Sequence, residues 1–486
     1  MIAAKKIKEP VKKPIDKYEV PQEYSLADVH ENLRFKSLFI LLKSTAWLVI
    51  GLLFYMVSIA SLLFPDLLPS KDYLLYGRLQ ACSFTVIIYG FLIQLLSGAI
   101  IYILCKLNNI LIKDRFSYYF GFILWNLGVL IGIVGILLGH NSGFEYFEIP
   151  HYSLLILFIA SLFISFNILI LTNNTKPSYF SFIGVGFALS LLIILSVVYL
   201  FLIRFPVHGA GQVIIYNWSK NVLFNVCISC GIIGLIFYFI TDSKNPHPHS
   251  AILFIITILG LLLFGGTGGI SPSIPVPRWI FELNRSLSLF LLIPLFSFLF
   301  LVLFKFSENP EITYNKLISF SVSGILLYYL AYIANVFTPV SQMTEFTLYD
   351  RGKDFLILIC SGIPIFYSLC GIILRDIADY KFSPAMIKLM YLSCLSGLVI
   401  PIVYITAGFL HGSLLYDYRI PFTVIIDKLK LFYLLVLIFS IFLFISTVIC
   451  FVKCNLVCFK IAVAKITEFK NKYIAETDFE KGVGIK

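Results

Sequence analysis

Histidine is the side chain that most often binds metals and transfers protons, and this 486-residue sequence contains seven histidines. They are His30, His140, His151, His208, His247, His249 and His411. All are expected in tails, loops or span ends. His247 and His249 have a spacing that could bind a metal, but in Lys-Asn-Pro-His-Pro-His we favour a solvated turn. The sequence has no HExxH, GxGxxG or Walker A pattern, and the run Gly265–Gly269 lacks the Lys-Ser/Thr of a phosphate-binding loop.

Ten cysteines could carry redox or metal chemistry. Cys227 and Cys230 have the spacing of a redox motif, yet they fall within an apolar segment, where thiols usually act as small apolar residues. Cys450, Cys454 and Cys458 recur every four residues and share one helix face. That face suits S-acylation or plain packing better than a metal. We predict no disulfide, no metal site and no catalytic residue.

Ionisable side chains inside apolar segments would indicate ion or proton transport. These segments hold Lys43 and otherwise neutral amides. The amides are Gln94, Asn126, Asn167 and Asn225. Lone amides usually join helices by hydrogen bonds, and we expect them to do so here.

The composition requires a membrane protein. The chain is 59% hydrophobic and 13% charged, whereas a soluble domain averages about 45–50% apolar and about 25% charged residues. This excludes a soluble enzyme and a disordered chain. The net charge is +11, but the cations lie in tails and loops. They therefore indicate membrane topology and contact with anionic membrane lipids, and we expect no nucleic-acid partner.

Twelve apolar segments are candidates for membrane spans, which need about 20 residues. They cover roughly 37–63, 82–108, 118–138, 153–172, 180–204, 221–241, 251–266, 286–306, 317–339, 355–375, 387–409 and 431–455. The seventh is short and ends in the glycine run Gly265–Gly269. Backbone amides there need partners from protein or water, so we expect this run near a membrane face or a cavity.

The distribution of Lys and Arg predicts the topology. With both termini in the cytoplasm, 25 of these residues lie inside and 11 outside, as the positive-inside rule requires. We expect a basic cytoplasmic N-terminal tail at 1–36, a membrane domain at 37–457 and a cytoplasmic C-terminal tail at 458–486. The outside loops are long and rich in proline, glycine and aromatics, which predicts a structured outer cap. They are Phe64–Ala81, Gly139–Tyr152, Phe205–Lys220, Ser271–Arg285, Thr338–Asp354 and Leu410–Leu429.

Four stretches on the second, sixth, seventh and tenth spans carry motifs of a known family. Tyr76-Gly-Arg-Leu-Gln80 resembles F-G-R-L-R-P-L-H-T. Trp218-Ser-Lys-Asn221, followed by Gly231–Phe239, resembles W-x-G-H-N and then G-F-L-G-M-M-Y-Y-F. Gly265–Trp279 resembles A-G-P-H-H-L-H-Y-T-A-L-P-D-W, and Ser341–Tyr349 resembles S-H-Y-T-D-W-T-I-G. From about Phe35 to Val457, the chain thus resembles the catalytic subunit I of cbb-type (C-family) heme-copper cytochrome c oxidases.

The resemblance implies an all-α, polytopic, twelve-helix bundle of the heme-copper oxidase subunit I type. It also implies the bacterial inner (cytoplasmic) membrane, other respiratory-complex subunits as partners, and heme b and copper as the family's cofactors. In the family, histidines on the second and tenth spans hold hemes, and histidines on the sixth and seventh hold copper. These positions fall here on Ser83, on Lys220 or Asn221, on Gly269 and Ile270, and on Asp350 and Gly352. A tyrosine at the copper site falls on Leu263.

All the family's ligands are thus replaced. Glycine and isoleucine have no side-chain donor, and serine, lysine or aspartate is a poor substitute for imidazole at heme iron or copper. We therefore expect no heme, no copper and no oxygen reduction by this chain alone. An emptied heme pocket would cost about 24 cal/mol per Å³ of void, so we expect bulky residues such as Phe84, Phe224 and Ile270 to fill it.

Asp350 and its neighbours Arg351, Lys353 and Asp354 place charge at the outer start of the tenth span. They could form an ion-pair network in place of contacts with heme propionates, or a solvated helix start. We favour the solvated helix start.

Three functions are compatible with the sequence. The leading one is a heme-free, non-catalytic paralogue that serves as a structural or assembly subunit of a bacterial respiratory-chain complex. The second is a transporter or channel that reuses the emptied cavity, as the polar Gln94, Asn126 and Asn225 suggest. The third is a functional cbb-type terminal oxidase whose hemes are ligated atypically, for instance through His208 or His411 from the outer loops.

Overall fold

The structure is a computed structural model that describes residues 26–67, 72–112, 114–173, 179–241, 248–270, 276–308, 315–417 and 419–483. These residues form helices and their connections, with no strand among them. Twelve long helices are numbered here in chain order. They are α1 (Leu26–Leu63), α2 (Tyr76–Asn108), α3 (Arg115–Leu137), α4 (His151–Asn173), α5 (Tyr179–Arg204), α6 (Ala210–Ile240), α7 (Pro248–Phe264), α8 (Arg278–Phe304), α9 (Asn315–Ala334), α10 (Leu348–Asp376), α11 (Pro384–Leu415) and α12 (Phe422–Val483).

The helices agree with the expected spans. Within the described ranges, eleven are long and apolar enough to cross a membrane, and α7, with 17 residues, is shorter. The all-α, polytopic architecture is confirmed, including the short seventh span. The borders predicted at 36/37 and 457/458 fall inside α1 and α12, both of which continue beyond them. Residues 1–25 and His247 lie outside the described residues.

Helices α2, α6 and α10 form the centre of the bundle. Their apolar stretches are 94–100% buried by the rest of the protein, against 33–56% for the other spans. Each contains a π-helical segment: Val86–Ile93, Val222–Ile228 and Leu356–Ser361. The hydroxyls of Ser229 and Ser361 each donate to the carbonyl five residues earlier. Such widened turns shift the helix register, so they decide which side chains of the central helices face one another.

Glycines allow α10 and α11 to cross closely. A Cβ atom on Gly408 would overlap the backbone of Tyr349 in α10, and one on Gly412 would overlap the backbone of Met343 in the short helix Thr338–Thr344. A Cβ on Gly352 would also collide with α11. Small residues permit such backbone approach between helices in a membrane. The crossing fixes the start of α10, where the charged residues lie.

Most amides in the spans join helices, as expected. Trp47 Nε1 donates to Asn126 Oδ1 at 2.6 Å, which links α1 to α3. Asn167 Nδ2 donates to Ser117 Oγ at 3.0 Å, which links α4 to α3. Gln94 is the exception, because its fully buried amide has no hydrogen-bond partner among the described residues.

The other candidate side chains of the spans have packing roles or face outward. Cys450, Cys454 and Cys458 are buried, and Cys454 lies within hydrogen-bond reach of the thiols of Cys370 and Cys450. This burial supports plain packing over S-acylation, which needs an accessible thiol. Cys227 and Cys230 are likewise buried and free, whereas Lys43 is exposed on α1.

Candidate functional site

The segments expected to form the outer cap meet at one end of the bundle, here called the cap end. Lys220, at the first turns of α6, contacts Glu145 in the loop 138–150. At the start of α8, Asn284 Oδ1 accepts a hydrogen bond from Gly268 N at 2.9 Å. The short helix Thr338–Thr344 packs against α11. The cap is therefore an ordered assembly of helix ends and loops.

Two of the four charged side chains at the start of α10 are buried. Lys353 and Asp354 are 7% and 2% exposed, so the solvated helix start favoured from sequence is wrong. Lys353 Nζ donates to Asp350 Oδ1 at 2.6 Å. Arg351 Nη1 donates to the hydroxyl of Tyr76, on α2, at 2.9 Å. Sequence could not decide this, because the burial comes from α6, α11 and the loop 138–150.

Lys220 extends the charged group from α10 to α6 and the loop 138–150. Its Nζ lies 3.3 Å from Asp354 Oδ2 and 3.6 Å from Glu145 Oε2. It also lies 4.8 Å from the ring centre of Tyr146, whose hydroxyl donates to Asp354 Oδ2 at 2.6 Å. Buried charges persist only when they are paired, and these pairs satisfy that condition. We call this group the cap network; its members are Glu145, Tyr146, Lys220, Asp350, Lys353 and Asp354.

The glycine run is held by side chains of α6 and α9. Asn221 Nδ2 donates to Gly268 O at 2.8 Å, and Asn225 Nδ2 donates to Gly265 O at 3.0 Å. The Tyr332 hydroxyl donates to a third carbonyl of the run. These bonds satisfy three carbonyls of the run, and the expectation that the run lies near a cavity is confirmed.

Aromatic side chains fill the interior below the cap network. The ring centres of Phe84 and Tyr146 are 5.0 Å apart, as are those of Tyr146 and Phe224. Phe355 packs against Phe84 at 5.7 Å and stacks on Tyr404 at 5.8 Å. All five are at most 2% exposed. The expected burial of Phe84 and Phe224 is confirmed, and we call these five residues the aromatic core.

The remaining sequence-predicted positions do not converge on one site. Ser83 is fully buried, and its hydroxyl has no hydrogen-bond partner among the described residues. Gly269 adopts a left-handed conformation with φ of +71°. Ile270 lines a cavity at the cap end and does not fill the interior, contrary to expectation. Leu263 is 70% exposed, so this position of α7 faces away from the centre of the bundle.

Sequence reasoning missed the contribution of the loop 138–150. Glu145 and Tyr146 belong to the cap network, and Tyr146 also belongs to the aromatic core. Burial raises the pKa of Glu148 to about 7; Glu145 adds to this effect and Arg351 opposes it. The sequence feature that could have indicated this role is the mixture of acidic and aromatic residues in Phe144-Glu-Tyr-Phe-Glu148.

A cavity of about 150 Å³ lies above the cap network. It is bounded by the start of α6, the glycine run, the start of α8, the short helix Thr338–Thr344 and the start of α10. Its polar lining comprises Asn217, Lys220, Asn221, Asn284, Arg285, Ser288, Tyr332, Asn335, Thr338, Ser341, Thr344, Glu345, Asp350 and Lys353. Three of these side chains are cationic and two are carboxylates.

The side chains at the expected ligand positions do not suit heme or copper. Within the described ranges, no three or more His, Cys, Asp or Glu side chains are grouped so that they could hold a metal ion. His208 is exposed, and His411 has a buried Nδ1 without a described partner. At the family's ligand positions, Lys220 is ion-paired and Asn221 is used to hold the glycine run.

Comparison with known proteins finds similarity in structure but not in sequence. No family model and no curated protein matches the sequence. A heme-copper terminal oxidase dimer solved by cryo-EM matches in structure, with a TM-score of 0.68 and 12% sequence identity. The match covers 88% of this chain and 84% of that chain. The fold is therefore that of a heme-copper oxidase subunit I-like bundle, as predicted from sequence.

Proposed function

We propose that this chain is a heme-free, non-catalytic relative of the cbb-type oxidase catalytic subunit. It acts as a structural or assembly subunit of a respiratory-chain complex in the bacterial inner membrane, with both termini cytoplasmic. The observation that carries the proposal is the cap network, because its Lys220–Asp354 pair occupies the region where α6 and α10 would present metal ligands.

The chemistry of the replaced positions supports the absence of heme and copper. A protonated lysine has no lone pair to offer a metal, and the Nδ2 of Asn221 is a hydrogen-bond donor. Asp350 is engaged by Lys353, and Gly352 is pressed against α11. None of these groups resembles the imidazole or thiolate ligands that bind heme iron or copper.

The dense aromatic packing of the interior also supports a structural role. The aromatic core occupies the volume between α1, α2, α6, α10 and α11, and the hydroxyls of Tyr55 and Tyr404 close it with a 2.8 Å hydrogen bond. A transporter or channel through the centre would need a polar path, so this packing argues against the second hypothesis. Atypical ligation through His208 has no support either, because that side chain is exposed.

The test is to purify the full chain from its native membrane in mild detergent. We expect a reduced-minus-oxidised spectrum without heme bands, and pyridine hemochrome and metal analyses well below one heme and one copper per chain. A bona fide heme-copper oxidase purified in parallel controls for heme loss. One or two hemes per chain would contradict the proposal and restore oxygen reduction as the leading function.

The partner claim needs a separate measurement on the same preparation. We expect other respiratory-chain subunits to co-purify in stoichiometric amounts. A chain that is heme-free but always purifies alone would contradict the structural role while leaving the loss of oxidase chemistry intact.

A further inference from the structure

Two ammonium groups at the floor of the cap-end cavity, on the buried Lys353 and the partly buried Lys220, have donor protons that the protein does not use. Lys220 Nζ has ionic contacts at 3.3 and 3.6 Å and no hydrogen bond to a described residue. Lys353 Nζ makes one hydrogen bond, to Asp350 Oδ1 at 2.6 Å. An ammonium group carries three donors, so both lysines can donate to a guest in the cavity that they line.

Neutral donors surround the same space. Asn284 lines the cavity, and since its Oδ1 accepts from Gly268 N, its Nδ2 is left to donate. Asn217 adds a second amide. The backbone N–H groups of Gly269 and Ile270 have no partner among the described residues, and both residues line the cavity.

The carboxylates near the cavity are mostly engaged by the protein. Asp350 accepts from Lys353 and, at 3.4 Å, from Asn335 Nδ2. Asp354 does not line the cavity and accepts from the Tyr146 hydroxyl. Arg285 adds a third cation to the wall, with Glu282 3.9 Å from it. The lining thus holds three cations and two carboxylates, and its unused donors favour a guest whose oxygens accept charge-assisted hydrogen bonds.

We propose that this cavity binds a small oxyanion, a phosphate or short carboxylate group, at the cap end of the bundle. The volume of about 150 Å³ suits a group of that size. Lys220 and Lys353 hold the charge, and Asn284 and Arg285 complete the wall. The site goes beyond the proposed function, which names no small ligand at the cap end.

The test is thermal unfolding of the full-length protein in detergent, followed by tryptophan fluorescence. The probes are sodium phosphate and sodium acetate, each compared with sodium chloride at equal ionic strength. We expect the unfolding midpoint to rise with phosphate, acetate or both, and titration calorimetry to give saturable binding. A midpoint that follows ionic strength alone, whichever salt is used, would overturn the proposal.

Variants locate the site. Lys220→Gln and Lys353→Gln should each weaken binding about tenfold or more, since each removes a charge-assisted donor. If either variant fails to fold, Arg285→Gln and Asn284→Ala test binding in the same cavity and disturb the packing of the protein less. Lys428→Gln, an exposed lysine on α12, is the matched control and should bind normally. Equal weakening in the control would contradict the site.

The oxyanion can be a free solute or part of a lipid headgroup, and a titration with lipid distinguishes the two sources. Delipidated protein is titrated with phosphatidylglycerol or with free phosphate. Stabilisation by free phosphate alone identifies a solute site, and stabilisation by phosphatidylglycerol that Arg285→Gln reduces identifies a lipid-headgroup site of the same chemistry. Lipid stabilisation that Arg285→Gln and Asn284→Ala leave unchanged, with no effect of phosphate or acetate, would contradict the proposal.

Discussion

The pair Lys220–Asp354 joins α6 to α10 at the cap end. Asp354 is buried and Lys220 is partly buried, and each charge is tolerated because the other, together with Tyr146 and Glu145, compensates for the lost hydration. Removing one member of a buried pair leaves an uncompensated charge, which typically costs about 3–5 kcal/mol. Replacing both members is often much less harmful.

Substitutions at this pair should therefore be non-additive. We expect Asp354→Asn to lower the thermal unfolding midpoint strongly, since Lys220 then keeps only the more distant Glu145. The double variant Lys220→Met/Asp354→Asn should recover part of that loss. The measurement is a double-mutant cycle by thermal unfolding in detergent, with the exposed Asp427→Asn as the control. Additive losses in the double variant would show that the two charges do not depend on each other.

Glu148 makes stability depend on pH near neutrality. Its pKa is raised from 4.5 to about 7, first by burial and then by Glu145. The folded state thus binds the proton more tightly than the unfolded state. The free energy of unfolding must therefore fall as the pH rises from about 4.5 to about 7, and stay low above that.

Glu148→Gln removes this dependence. We expect the variant to be more stable than the parent at pH 8, by about 1–2 kcal/mol after allowance for partial exposure. The advantage should disappear near pH 4.5, where the parent carboxyl is protonated in both states. Unfolding midpoints between pH 4.5 and 8 test this. A constant difference between variant and parent at every pH would show that the carboxyl does not titrate as described.

At the scale of the helices, close crossings and register shifts set the geometry of the site. The π-helical segments of α2, α6 and α10 determine which faces meet, and the glycines of α10 and α11 determine how closely. The glycine run is fixed in turn by Asn221 and Asn225, which donate to two of its carbonyls. The cap network and the cavity beside it depend on these features.

The crossing of α10 and α11 can be tested with a matched pair of glycines. Gly408→Ala places a methyl group on the backbone of Tyr349, so we expect a loss of about 3 kcal/mol and a lower unfolding midpoint. Gly77→Ala, in α2, has open space around the new methyl group and should be neutral or slightly stabilising. Equal effects of the two substitutions would contradict the close crossing.

At the scale of the whole molecule, the bundle keeps the subunit I-like fold at only 12% identity to a solved oxidase. Under the proposed function, the aromatic core fills the space that hemes would otherwise occupy, and an empty space there would be costly. The outer helices remain apolar toward the surroundings, with about half or more of each apolar stretch left for lipid or other subunits.

The predicted topology can be tested on the intact chain. With both termini cytoplasmic, a fluorescent protein fused after Lys486 should fold and fluoresce, and alkaline phosphatase fused after Tyr416 should be active outside. The reverse result, with a dark fluorescent protein after Lys486 and an inactive phosphatase after Tyr416, would place the cap end in the cytoplasm. It would contradict the orientation predicted from Lys and Arg.

The sequence by itself determined the helical membrane class, the twelve spans and the absence of imidazole at the family's ligand positions. These are local properties, because a bilayer forces apolar segments into helices wherever they occur. Only the tertiary structure decided that Lys353 and Asp354 are buried, that Lys220 meets Glu145, and that Leu263 faces outward. Burial and charge pairing depend on contacts between distant segments, and helix phase depends on π-helical turns and helix ends that composition does not encode. For that reason the charged start of α10 was misjudged from sequence, while the short α7 and its glycine run were anticipated.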